Sequence, residues 1–195
     1  MTLKDSSDFI QIFNELFGKC EIVEQKELPV SIDELEKKGE GRIYIWLKED
    51  NEIFKIVPSN KINIGCIKKQ NKPDGIILEV NFENKKIFVY LIELKKNLIS
   101  KLEKAIEQLS KAYWFIKSLS LEECFKVKVI LILGYKDELN EQNLELLKFS
   151  ENELLKEASN AISNYLRGKK SKFPVKLPFC KYKLLNFKLQ RMEKL

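Results

Sequence analysis

The 195-residue chain contains no histidine. That absence removes Ser-His-Asp and Cys-His catalysis, HNH-type nuclease chemistry, two-histidine ribonuclease chemistry and histidine-rich zinc sites together. Any hydrolysis must then use carboxylates, lysine and a hard metal ion. Cysteine is scarce and scattered: Cys20, Cys66, Cys124 and Cys180 form no CxxC pair, which reads as free thiols and argues against a zinc or iron–sulfur site. Long apolar runs are missing too. A stretch such as Val129 to Leu133 is far short of the ~20 residues a membrane span needs, and Met1 to Ser7 is polar with no signal-peptide core. The expectation is a cytoplasmic protein with no membrane contact. With seven glycines and five prolines, no linker-like stretch divides the chain. It reads as one domain over 1–195, with a core over 1–135 and a C-terminal extension over 136–195.

Charge is abundant but uneven. From Arg167 to Leu195 there are ten Lys/Arg against the single acid Glu193, a balance of +9 within a total of +6, which leaves −3 for residues 1–166. Basicity belongs to the tail, either as a contact for a polyanion or as a solvated, lysine-rich end.

Ser6 and Ser7 can cap a first helix whose apolar positions Phe9, Ile10, Phe13, Leu16 and Phe17 recur at helical spacing, with Gly18 as its stop. Ser31 followed by Glu34 has capping-box spacing and predicts a short helix ending near Gly39. Arg42 to Leu47 and Ile53 to Val57 read as one hairpin, and Gly75 to Phe82 and Ile87 to Lys95 as a second. Both alternating faces of the last segment are apolar, so it should be a central strand covered on both sides. Leu98 to Leu119 has the apolar spacing of a long amphipathic helix, with Asn97 or Ser100 near its cap, and Val127 to Leu133 is another buried strand. Strand, helix and strand make a crossover unit. Leu144 to Leu147 and Leu154 to Tyr165 read as further helices.

The chemistry is expected between Pro73 and Lys95. Glu-x-Lys by itself means nothing here: 23 Glu and 32 Lys predict about four occurrences by chance, and four occur, at Glu24, Glu36, Glu83 and Glu93. Only Glu93 and Lys95 sit at the exit of a doubly buried strand. Pro-Asp is rarer, with roughly 0.15 pairs expected and one found, at Pro73-Asp74. Period two puts Glu93 and Lys95 on one face with Leu94 on the other. A hairpin pairing brings Asp74 beside Glu93, and two converging carboxylates suit Mg²⁺ with a lysine to orient or acidify the attacking water. The alternative for the same residues is a strand leaving the core for water and a turn residue after proline.

This arrangement resembles the PD-(D/E)xK nuclease superfamily, which includes restriction endonucleases, Holliday-junction resolvases and the RecB and Cas4 nuclease domains. The resemblance covers about the first 135 residues. It implies an α/β fold with a restriction endonuclease-like αβββαβ core, a mixed central sheet flanked by helices, here with an additional hairpin and a helical, basic C-terminal extension. It also implies a metal-dependent nuclease, an endonuclease acting on DNA, with Asp74 and Glu93 as ligands of Mg²⁺ or Mn²⁺, Lys95 assisting the water and Gln108 supporting the site. Glu15 falls on the face of the first helix away from Phe9 and Phe13, so no first-helix acid is assigned. RecB and Cas4 proteins place a tyrosine four residues after the glutamine, where this chain has Ala112. Phosphate contacts are expected from Lys68, Lys69, Lys72 and Lys96 around the motif and from Lys169, Lys170 and Lys172 in the tail. A homodimer stays open. So do two other readings: a nuclease-like nucleic-acid-binding module without activity, and a protein-interaction module.

Overall fold

The computed structural model describes residues 6–16, 18–24, 27–33, 41–48, 50–58, 72–178 and 181–193. Among the described residues it is an α/β structure built on a mixed seven-stranded sheet with four α-helices. The strands of that sheet are β1 (Gly18–Ile22), β4 (Glu52–Pro58), β5 (Gly75–Asn81), β6 (Lys86–Lys95), β7 (Lys126–Tyr135), β8 (Lys172–Lys176) and β9 (Tyr182–Arg191). Their spatial order is β1-β4-β5-β6-β7-β9-β8. The first four are antiparallel neighbours, β6, β7 and β9 run parallel, and β8 closes the edge antiparallel to β9. A separate two-stranded sheet joins β2 (Val30–Asp33) to β3 (Arg42–Ile45).

Two apolar clusters cover the sheet's faces. Helix α1 (Ser6–Leu16) presents Phe9 and Phe13, both fully buried, and Phe9 stacks on Phe54 with ring centroids 5.3 Å apart. Helix α2 (Leu102–Ser118) presents Ala105, Leu109, Ala112 and Ile116. Helices α3 (Glu141–Lys148) and α4 (Glu153–Leu166) add Leu144, Ala158 and Ile162 to the same layer. These pack on Ile87, Val89 and Leu91 of β6, whereas Tyr90, Ile92 and Leu94 face the β2–β3 sheet through Ile32, Ile43 and Ile45. Strand β6 is thus central and covered on both faces, as its doubly apolar pattern predicts. The β5–β6 hairpin and the parallel β6–α2–β7 crossover also match the expectation.

Three expectations are corrected. The segment from Ser31 is a strand: Val30 and Ile32 alternate with Ser31 and Asp33, and burying the two apolar side chains against Ile43 and Ile45 outweighs a capping-box spacing. Residues 34–40 lie outside those described. The strands at 42–45 and 52–58 do not pair with each other, since β3 joins β2 while β4 lies between β1 and β5. Alternation shows that each is a strand and says nothing about its partner. Finally, the C-terminal extension is only partly helical. Phe173 and Val175 of β8, with Leu185 and Phe187 of β9, alternate into the core, and Lys172 and Lys188, which read as part of a solvated tail, are outward positions of the same strands. Among the described residues no helix is long and apolar enough to cross a membrane.

Candidate active site

Strand β5 begins where Pro73-Asp74 ends an irregular segment, and its pairing with β6 is fixed by Gly75 opposite Ile92. One step outward, residue 74 falls opposite residue 93. The Asp74 N–H donates to the Ile92 carbonyl (3.0 Å), and Asp74 Oδ2 accepts from the Leu94 N–H (2.7 Å). The aspartate side chain therefore closes the ladder end, in place of a backbone carbonyl that the turning chain no longer supplies. Gly75 packs closely there: a Cβ would come within 2.9 Å of Ile32 Cδ1 from β2, so that side chain would have to shift.

Glu93 and Lys95 share the helix-side face of β6, with Leu94 turned into the opposite cluster. Glu93 is 0 % exposed, Lys95 2 %, Asp74 5 % and Gln108 5 %. The Lys95 ammonium pairs with Glu93 Oε1 and donates to the Leu94 carbonyl (3.0 Å). Glu93 Oε2 accepts no hydrogen bond from any described residue. Burial holds the Glu93 carboxyl well above the usual glutamate range, the neighbouring charge of Asp74 pushes it further, and Lys95 and Lys104 only partly offset both.

Gln108, on the buried side of α2, donates from Nε2 to the Lys72 carbonyl (2.6 Å), two residues before Asp74, and its Oε1 has no hydrogen-bond partner among the described residues. It positions the segment that leads into the aspartate. Lys72 is half-buried beside it, and Lys96 is exposed just past the motif, its carbonyl accepting from Lys136 and Asp137. Lys68 and Lys69 lie outside the described residues. Lys169, Lys170 and Lys172 are exposed but belong elsewhere: Lys172 lies opposite Asn186, which pairs with Ile130, five positions from the Tyr135 that adjoins Lys95. That is roughly 17 Å along the strand direction, three strands away. Glu15 is exposed and accepts from Gln11 (3.1 Å), away from the site.

Two features escaped the sequence reading. Lys104, one turn into α2, bears electrostatically on Glu93. On the opposite face of the sheet Glu79 is buried and accepts from Tyr90 (2.7 Å) and Asn51 (2.6 Å), while Asn81 donates to Asn51 (2.9 Å). Burial first and that hydrogen bond second push the Tyr90 phenol far up. A lone glutamate in an apolar run was the only available signal for this network, which ties the turn before β4 to the sheet.

A groove of about 570 Å³ lies between α2, α4 and the end of β8, is lined by Glu107, Trp114, Leu155 and Lys176 among others, and contains neither Asp74 nor Glu93. Among the described residues no cluster of three or more metal-ligating side chains occurs. Asp74 and Glu93 are a pair, and a pair of carboxylates completed by water is what Mg²⁺ ordinarily takes. Comparison of the chain with protein-family models, with curated proteins and with solved structures finds no match.

Proposed function

We propose that this chain is a metal-dependent nuclease of the PD-(D/E)xK type, hydrolysing phosphodiester bonds of nucleic acid, DNA in the first instance, with a restriction endonuclease-like core formed by α1, the β4–β5–β6 strands, α2 and β7. The observation that carries the reading is the pairing of Asp74 with Glu93 across the β5–β6 ladder, with Lys95 on the same face. A divalent cation fits the residues present: two carboxylates are near enough to repel, and Glu93 Oε2 has no donor.

Asp74 and Glu93 would hold Mg²⁺ or Mn²⁺, and a bound ion of this kind polarises a phosphate oxygen and acidifies water. Asp74 accepts the Leu94 amide with Oδ2, which fixes the carboxylate's orientation at the end of the ladder. Lys95 is a buried ammonium whose positive charge offsets charge developing on the phosphoryl oxygens, and the Leu94 carbonyl holds it in place. Gln108 anchors the approach to Asp74.

The test is incubation with linear, circular, single-stranded and branched DNA and with RNA, in Mg²⁺, Mn²⁺ or EDTA. Cleavage that needs the metal supports the reading, and cleavage undiminished in EDTA refutes it. One observation favours a second reading. Glu93 and Lys95 are almost wholly buried against each other, as a structural ion pair in an inactive nucleic-acid-binding module would be. Calorimetric titration with divalent metal separates the two, because the module binds none.

A further inference from the structure

The β2–β3 sheet covers only part of its face of the main sheet. Beyond Tyr90 and Ile132, which are buried under it, the same face of β6, β7, β9 and β8 opens to solvent. The register defines what stands there. Lys126 and Lys128 of β7 lie opposite Lys86 and Phe88 of β6. Asn186 and Lys188 of β9 lie opposite Ile130 and Ile132, and Lys172 of β8 lies opposite Asn186. All five lysines are exposed.

No acidic residue occupies this face on any of the four strands. Elsewhere some of the chain's cations are paired, as Lys111 with Glu107, Lys117 with Glu122 and Lys148 with Glu145. No ion pair among the described residues reaches Lys86, Lys126, Lys128, Lys172 or Lys188, and Lys86 and Lys126 are direct cross-strand neighbours, an arrangement that costs stability unless an anion covers it. Apolar and aromatic surface is interleaved with the charge: Lys128 Nζ sits 5.6 Å from the Phe88 ring centroid, Tyr182 is 36 % exposed and Leu184 42 %. At the sheet's edge the face continues into a cavity of about 540 Å³ lined by Tyr165, Lys169, Lys170 and Lys172. Lys188 stands four strand positions, about 13 Å, beyond Lys128, and Lys172 two strands, about 10 Å, to its side. Such a spread spans several phosphates of a nucleic acid, which carries one charge per about 1.7 Å of duplex axis.

We infer that the open face of the sheet from β6 to β8 is a nucleic-acid-binding surface, with Lys126, Lys128, Lys172 and Lys188 on backbone phosphates and the apolar side chains between them against sugar and base. The choice of nucleic acid as the polyanion rests on the nuclease reading. The surface itself is separate from the carboxylate site, since Asp74, Glu93 and Lys95 lie on the sheet's other face. It would hold nucleic acid at a distance from the bond that is cut.

The experiment measures binding in EDTA, so that no cleavage intervenes, by fluorescence anisotropy of a labelled oligonucleotide in single-stranded and duplex form across a salt series. The full chain is compared with a variant carrying Lys126→Gln, Lys128→Gln, Lys172→Gln and Lys188→Gln, and with the corresponding four-arginine variant as a control for folding. The four-glutamine variant should bind on the order of tenfold more weakly or worse, with a salt slope shallower by about 0.7–0.9 per lost contact, and the four-arginine variant should bind like the parent. Retained affinity and slope in the folded four-glutamine variant overturn the inference. So does a parent chain that binds polyglutamate but neither form of the oligonucleotide. An Asp74→Asn/Glu93→Gln variant should bind the oligonucleotide as the parent does. If the parent takes up no divalent metal while this binding persists, the nuclease reading falls and the surface stands.

Discussion

Replacing Gly134 with alanine tests how the second face of the sheet supports the site without touching a site residue. A Cβ at 134 would overlap Leu94 Cδ2, and would approach Ile43 Cγ2 to 3.3 Å and Met192 Cγ to 3.4 Å. Leu94 is fully buried and fixed at both ends of its peptide, its N–H on Asp74 and its carbonyl on Lys95. The leucine has to move, at the cost typical of an overpacked core, about 1–3 kcal/mol. Leu94→Ala alone should cost about 2–5 kcal/mol through the void it leaves. If the overlap is the whole effect, adding Gly134→Ala to Leu94→Ala should cost almost nothing, so the pair couples by about 1–3 kcal/mol. Urea melts of the four proteins in EDTA measure this, with roughly 2–4 °C in Tm per kcal/mol as a parallel readout. Calorimetry should also find weaker divalent binding for Gly134→Ala, because Leu94 connects Asp74 to Lys95. A Gly134→Ala protein with parental stability, or costs that simply add, would refute the packing argument.

Three further outcomes are expected. Glu93 has a raised folded pKa, so the metal-free fold is favoured most below about pH 4.5, its usual value, and loses that stability as pH rises through the folded pKa; urea melts from pH 4 to 8 should show this slope in the parent and a flatter one in Glu93→Gln, and equal slopes would count against it. In a Glu93→Gln background, where repulsion from Asp74 is already relieved, Asp74→Ala should cost about 1–3 kcal/mol more than Asp74→Asn, since alanine leaves the buried Leu94 N–H without its acceptor. Burial pushes the Cys20 thiol up to about 12, whereas Cys124 is only half-buried, so peptide mapping after iodoacetamide at pH 8 should find Cys20 unmodified in the folded protein and modified in urea, and rapid native labelling of Cys20 would contradict its placement.

What the sequence made legible follows from the range over which each signal acts. The β5–β6 hairpin, α2 and β7 are consecutive, and each carries an unbroken period of two or 3.6, so their order and pairing follow from local pattern. Asp74 was foreseeable beside Glu93 because a four-residue connection leaves a hairpin little freedom of register. The partner of β3 was not foreseeable, since Ile43 and Ile45 alternate equally well whichever strand lies beside them. In β8 and β9 the apolar members Phe173, Val175, Leu185 and Phe187 are flanked by Lys172, Lys176, Lys183 and Lys188, so net charge masked the alternation. It also hid the open face, whose lysines come from 126–128, 172 and 188 and meet only through the sheet. The Glu79 network escaped for the same reason, as Asn51 reaches it from the turn before β4 and Tyr90 from β6.

The central claim is that Asp74, Glu93 and Lys95 form one hydrolytic site, and single-turnover cleavage of labelled DNA in Mg²⁺ by the parent and by Asp74→Asn, Glu93→Gln and Lys95→Met, each checked for folding, tests it most directly. The account predicts a rate lower by on the order of a hundredfold or more in each variant, with oligonucleotide binding in EDTA unchanged. Parental cleavage by any folded variant of the two carboxylates, or no cleavage by the parent on any substrate in Mg²⁺ or Mn²⁺, would contradict it.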